Sequence, residues 1–325
     1  MDIKNYILNK YLDIDEILLN YLITYFNYID TYNLYPSNIL LTDIIDTTLT
    51  NVRRIIFFDK DSDIVKAVGG DFLGITINEE QTIYINSQAN EKTKETTIYH
   101  EIHHAAQIKK DALITNPYDT LVGIRFNNLG ILINEAQTAY LADSIYQEIH
   151  HNKSVYINYP SDKFHMLPGG TIISNLSCYQ VYDYLLTKLS FLLELPKEFF
   201  IKINYLFELD DNNYPKGLTV LKEIYNKYQT IYNIPLSFDN LMYQLDYIAY
   251  MYELTCSNYE EGMYYFSPHT SIPVNFNHQL EMLIMNGLDK VFLTKDLKEK
   301  NPEVYKKLSN YTFKNKKVKK LQRNL

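Results

Sequence analysis

A chain of 325 residues, 46% apolar and 22% charged, can bury one large core or two smaller ones, and its ordinary composition excludes wholesale disorder. Ten Gly and ten Pro exclude a collagen-like or linker-dominated chain. Setting aside the six cations of the last fifteen residues (Lys314, Lys316, Lys317, Lys319, Lys320 and Arg323) takes the net charge from −8 to −14, which argues against a nucleic-acid clamp.

Two cysteines, Cys178 and Cys256, cannot build a disulfide framework, and neither sits in a metal-type pair. Asp2, Asp13, Asp15 and Glu16 stand where a signal peptide needs an apolar core, and the stretch from Ile17 to Phe26 falls short of the roughly 20 residues of a bilayer span. A cytoplasmic protein with no membrane span and no nucleic-acid partner is expected.

In chain order, apolar residues at three- and four-residue spacing predict helices over residues 3 to 32 and 38 to 50. The pattern then turns extended: Arg54 to Asp59, Phe72 to Asn78 and Thr82 to Asn86 are β-branched or aromatic runs separated by turn residues. The turn Asp59 to Asp63 resembles the start of a calcium loop, but Ile64 and Gly70 stand where that loop needs Gly and Glu, so a hairpin turn is expected. After Asn90 the helical period returns, at about 92 to 110, 129 to 150, 173 to 194, 216 to 232, 237 to 256 and 277 to 293. The expected fold class is α+β by segregation: helix, a small mixed β-sheet, then an all-helical remainder.

The first of these later helices carries His-Glu-x-x-His as His100, Glu101 and His104. Residues four apart share a helix face, so both imidazoles can reach one ion, while Glu101, about 100° around, can reach a water on that ion. Zinc suits such nitrogen donors in a tetrahedral site with one position left to water. Asn90 is the expected N-cap, and Ile98, Ile102 and Ala105 form the buried stripe opposite the histidines. His103 offers a competing register. His104 is preferred because it gives Glu101 its usual relation to both ligands, leaving His103 beside the site or facing solvent.

A third protein ligand is owed. The amphipathic segment from Ile131 to Tyr140 holds Glu135, 31 residues after His104, and a carboxylate among apolar residues is costly unless a cation meets it. Asp143 is the rival, better suited to holding a ligand imidazole by its far nitrogen.

His100-Glu101-x-x-His104 followed by a helical Asn134-Glu135-Ala136 resembles the zincin metallopeptidases, and within them the gluzincin arrangement with a glutamate third ligand. The resemblance covers roughly residues 35 to 150 and implies a zincin-like fold. A helical segment over 1–34 would precede a sheet and active-site-helix part over 35–112. A helical part over 113–310 would supply the third ligand, and a basic tail would cover 311–325. The resemblance also implies an edge strand, Phe72 to Asn78, that takes up extended peptide. The Glu-x-x-x-Asp extension of some gluzincins is absent, since Ala139 occupies that place. The expected activity is zinc-dependent peptide hydrolysis of a peptide or protein substrate, with Zn2+ on His100, His104 and Glu135 and Glu101 as general base. Oxyanion stabilisation would fall to Tyr140, His165 or His269. The alternative is a catalytically silent zincin-like domain that binds a partner protein.

Overall fold

The computed structural model describes residues 1–59, 61–68, 72–108, 121–126, 129–151, 164–166, 172–174, 178–206, 208–212, 214–256 and 287–311. The first predicted helix is two helices, α1 (Ile3–Lys10) and α2 (Glu16–Thr31). The break falls at Asp15, whose carboxylate accepts from the backbone N–H groups of Ile17 and Leu18 and so starts a new helix. Helix α3 (Leu41–Asn51) leads into β1 (Arg54–Phe58).

A short helix, α4 (Asp63–Val68), separates β1 from β2 (Gly74–Ile77) and β3 (Thr82–Asn86). The sheet is mixed, in the order β1-β3-β2, with β1 parallel and β2 antiparallel to β3. The expected hairpin at Asp59 to Asp63 is therefore corrected. Parallel strands need a crossover, and α4 lies in it. The hairpin joins β2 to β3 instead, with Gln81 turning the chain at φ +52°. β2 is an edge strand, as the sequence suggested for Phe72 to Asn78.

Helix α5 (Glu91–Ala105) packs on β2 and β3 and against α6 (Ile131–His150). Between these helices runs a hairpin of β4 (Leu121–Val122) and β5 (Arg125–Phe126), and β6 (Phe164–Met166) pairs with β7 (Ile172–Ser174) beyond them. The part after Asn90 is thus not wholly helical. Ile173 and Ser174, counted into a helix from residue 173, lie in β7, because a short run with β-branched residues fits either period. The later helices are α7 (Cys178–Leu192), α8 (Lys197–Asn204), α9 (Lys216–Tyr232), α10 (Phe238–Cys256) and two short ones, Lys295–Lys300 and Pro302–Asn310.

The chain divides into two compact units: Met1–Val155 with Lys197–Val220, and Tyr156–Pro196 with Leu221–Leu325. In the first, the N-terminal helices do not stand apart. Ile7, Leu22, Phe26 and Ile29 share one core with Ile44 and Ile45 of α3, Ile83 and Ile85 of β3, and Ile98 and Ile102 of α5. Helix α8 returns to this unit, packs on α6 and sends Tyr205, just beyond its end, into the same core. In the second unit α7 packs on α10, burying Leu185, Leu189, Leu245 and Ile248. There Lys188 forms a buried ion pair with Asp289, which also accepts from the Tyr184 hydroxyl at 3.2 Å. Among the described residues no helix is long and apolar enough to cross a membrane.

Candidate metal centre

Asn90 caps α5 as the sequence indicated, its side chain accepting from the Thr93 N–H at 2.9 Å. Ile98, Ile102 and Ala105 enter the core, which turns His100 and His104 toward α6. Helix α6 starts at Gly130, in the left-handed region at φ +76°, where a Cβ would run into the Ile124 carbonyl. One turn in, Glu135 meets both histidines. Its Oε2 lies 3.2 Å from His100 Nε2, its Oε1 3.4 Å from His104 Nε2, and the two Nε2 atoms are 3.0 Å apart.

Those separations fit one ion. Donors roughly 2.0–2.1 Å from a tetrahedral zinc lie roughly 3.3–3.4 Å from one another, so the three side chains could grip it with little rearrangement. Two imidazoles and one carboxylate are also the donor set zinc favours. Among the described residues, this is the group of three or more potential ligands close enough to share an ion. Burial raises the cost of charging Glu135, but the facing His104 and His100 outweigh it and hold its carboxyl well below the usual carboxylate range. Burial likewise pulls the His104 imidazole down, while the Glu135 carboxylate, helped by Glu101, leaves it above its ordinary value.

Glu101 is nearly buried, and its Oε2 accepts from the Thr76 hydroxyl at 2.8 Å. Thr76 belongs to the edge strand, where Gly74 and Thr76 share the face toward α5. A Cβ on Gly74 would strike the side-chain methyl of Thr97, four residues before Glu101. A side chain at 74 would hold β2 off the helix, so this glycine lets Thr76 reach the carboxylate.

His103 is fully buried rather than solvent-facing. Its Nδ1 accepts from Tyr25 at 2.6 Å, its Nε2–H donates to Gln137 Oε1 at 2.7 Å, and Tyr205 lies 2.7 Å from the Tyr25 hydroxyl. Burial pushes its imidazole down to about 3, against the raising effect of Gln137, so it stays neutral. His103 therefore ties α5 to α2 and α6 behind His100 and His104. Asp143 is buried on α6 and accepts from Gln147 at 2.7 Å.

The structure brings His100, His104 and Glu135 together, with Glu101 alongside. Tyr140, expected near the reacting centre, instead donates its hydroxyl to Glu198 of α8 at 2.9 Å, with the Lys197 ammonium 4.9 Å from its ring centre. Five residues on from Glu135, it leaves the helix on another side. His165 lies on β6 with its side chain outside the described part, and His269 lies outside the described residues. Two neighbours were missed by sequence reasoning. Thr76 is one threonine among many in strand-like runs, and Arg125 opens a two-residue strand too short to leave a spacing pattern. Arg125 Nη1 stands 3.5 Å from Glu135 Oε1. The chain matches no family model, no curated protein and no solved structure.

Proposed function

We propose that this chain is a zinc-dependent metallopeptidase in which His100, His104 and Glu135 hold the metal and Glu101 is the general base. The observation that carries this function is the convergence of three side chains, each pair approaching to 3.0–3.4 Å through its nearest donor atoms, beside the separate carboxylate of Glu101. A metal-holding group alone needs no such carboxylate, and a hydrolase does. Bound there, zinc would polarise the scissile carbonyl and lower the pKa of a water toward neutrality.

The chain's own residues divide the remaining work. Thr76 donates to Oε2 of Glu101, which leaves Oε1 to take a proton from the attacking water. The water oxygen bonds to the carbonyl carbon, the C–N bond breaks, and Glu101 returns the proton to the departing nitrogen. Among the described residues β2, which carries Thr76, is paired on one side only, and its other side can take an extended peptide by strand addition.

The test is to purify the protein without a histidine tag, measure its metal, and assay cleavage of unfolded casein. Zinc and cleavage should be present together, both lost after chelation and both restored by zinc. A protein that takes up zinc but never cleaves would instead be the silent binding domain, and one that takes up no metal would overturn the function altogether. Thr76→Val should lower kcat about 10–100-fold with metal content unchanged, the range for a hydrogen bond to a charged group, and Thr76→Ser should restore most of it. Equal kcat in the Val variant would show that Thr76 does not orient the base.

A further inference from the structure

Peptide hydrolysis needs a donor for the carbonyl oxygen as it gains negative charge, and the tyrosine expected to serve is turned to Glu198. Arg125 is differently placed. It faces the same Glu135 oxygen that His104 Nε2 faces, and at 3.5 Å the contact is longer than the roughly 2.7–2.9 Å of a charge-assisted hydrogen bond. Among the described residues this is the guanidinium's one polar contact, and one such contact occupies few of its five N–H donors. The side chain is 35% exposed, which leaves it open to an incoming group.

What separates Arg125 from an ordinary surface arginine is the fixing of its backbone. A hairpin of two-residue strands has little stability of its own. Here three buried amide side chains, Gln107, Asn134 and Asn204, each at most 1% exposed, surround its turn. Asn134 Nδ2 lies 2.7 Å from Gln107 Oε1, 2.8 Å from Asn204 Oδ1 and 3.1 Å from the Val122 carbonyl, its two hydrogens shared among the three acceptors. Asn204 Oδ1 accepts from the Ile124 N–H at 3.1 Å, and the Gly123 N–H donates to the Gln107 carbonyl at 3.0 Å. Asn134 directly precedes Glu135 and Gln107 ends the His-Glu-x-x-His helix region, so one amide cluster sets the position of a metal ligand and of the guanidinium. Preorganised donors of this kind are what stabilise charge that develops only during reaction.

We propose that Arg125 is a catalytic residue of this site: its guanidinium binds the carbonyl oxygen of the scissile amide and the negative charge that grows on it. The proposal rests on the metallopeptidase function above. A guanidinium against a ligand oxygen lies at the reacting centre, whereas one that recognised side chains would lie further along the strand, at about 3.3 Å per residue.

The experiment compares wild type, Arg125→Lys and Arg125→Met, all zinc-loaded, on unfolded casein, and also titrates the cobalt-loaded forms with inorganic phosphate, a tetrahedral oxyanion, by visible absorption. Arg125→Met should lower kcat about 10²–10³-fold with KM and metal content little changed, and should weaken phosphate at least about tenfold. Arg125→Lys should fall between, and in a further variant, Arg125→Ala, added guanidinium ion should restore part of the lost activity. Phosphate bound equally by wild type and Arg125→Met overturns the proposal whether or not casein is cleaved. A rise in KM with kcat unchanged also overturns it, since that marks recognition of a substrate carboxylate. So does metal loss in the variants, which would make Arg125 a support for Glu135. Failure of wild type to take up metal or to cleave, by contrast, strikes the metallopeptidase function itself.

Discussion

Glu101→Gln should retain its metal and lose about 10²–10⁴-fold in kcat/KM on unfolded casein. The amide is nearly isosteric and can still accept from the Thr76 hydroxyl, so the contact at 2.8 Å and the packing of α5 should survive. What disappears is the ability to take a proton. Because Glu101 is not one of the three converging donors, metal content and thermal stability should match wild type. That combination separates loss of a base from loss of a ligand. The measurement is metal by mass spectrometry on the same preparation used for kinetics, and residual cleavage within about tenfold of wild type would remove Glu101 from the mechanism.

Glu135→Ala should lose both metal and activity. Two imidazoles with Nε2 atoms 3.0 Å apart remain, without the carboxylate that closes the group, and a two-nitrogen site binds zinc far more weakly than a three-donor one. Stability reports the same loss without any assay of cleavage. Zinc at about 1,000 times its dissociation constant stabilises the folded chain by about 4 kcal/mol, so added zinc should raise the wild-type Tm and leave that of Glu135→Ala nearly unmoved. The pH dependence has a definite sign. Glu135 raises the pKa of His104 in the metal-free protein, and a proton there competes with metal, so zinc affinity should begin to fall at a pH above the ordinary 6.5 of histidine and keep falling with acidity. Isothermal titration at several pH values checks this, and an affinity independent of pH would mean that His104 does not ligate.

The clustering of His100, His104 and Glu135 could be anticipated from the sequence because much of its geometry is local. Four residues of helix bring His100 and His104 to one face whatever the tertiary fold, and the Asn90 cap and the Ile98, Ile102, Ala105 stripe follow the same periodicity. Glu135 needed one non-local step, and an acid in an apolar helix supplied it. The features that could not be read depend on pairing between distant segments. The parallel alignment of β1 with β3 leaves no local mark, so the Asp59 to Asp63 turn looked like a hairpin. The return of α8 to the first unit draws the Tyr140 hydroxyl to Glu198, away from the role its sequence position suggested. Arg125 is fixed by amides from three places in the chain, Gln107, Asn134 and Asn204, and uncharged side chains in a buried cluster have no periodicity to betray them.

The close approach of Gly74 to Thr97 would make the spacing between strand and helix a mechanical gauge for the proposed reaction. A peptide lying along β2 would inherit its height above Glu101 from that one missing methyl group, so substrate depth and proton-transfer distance would be set by the same spacer. Any change that thickened it would lift the scissile bond and the Thr76 hydroxyl together, out of reach of a carboxylate anchored to the helix below.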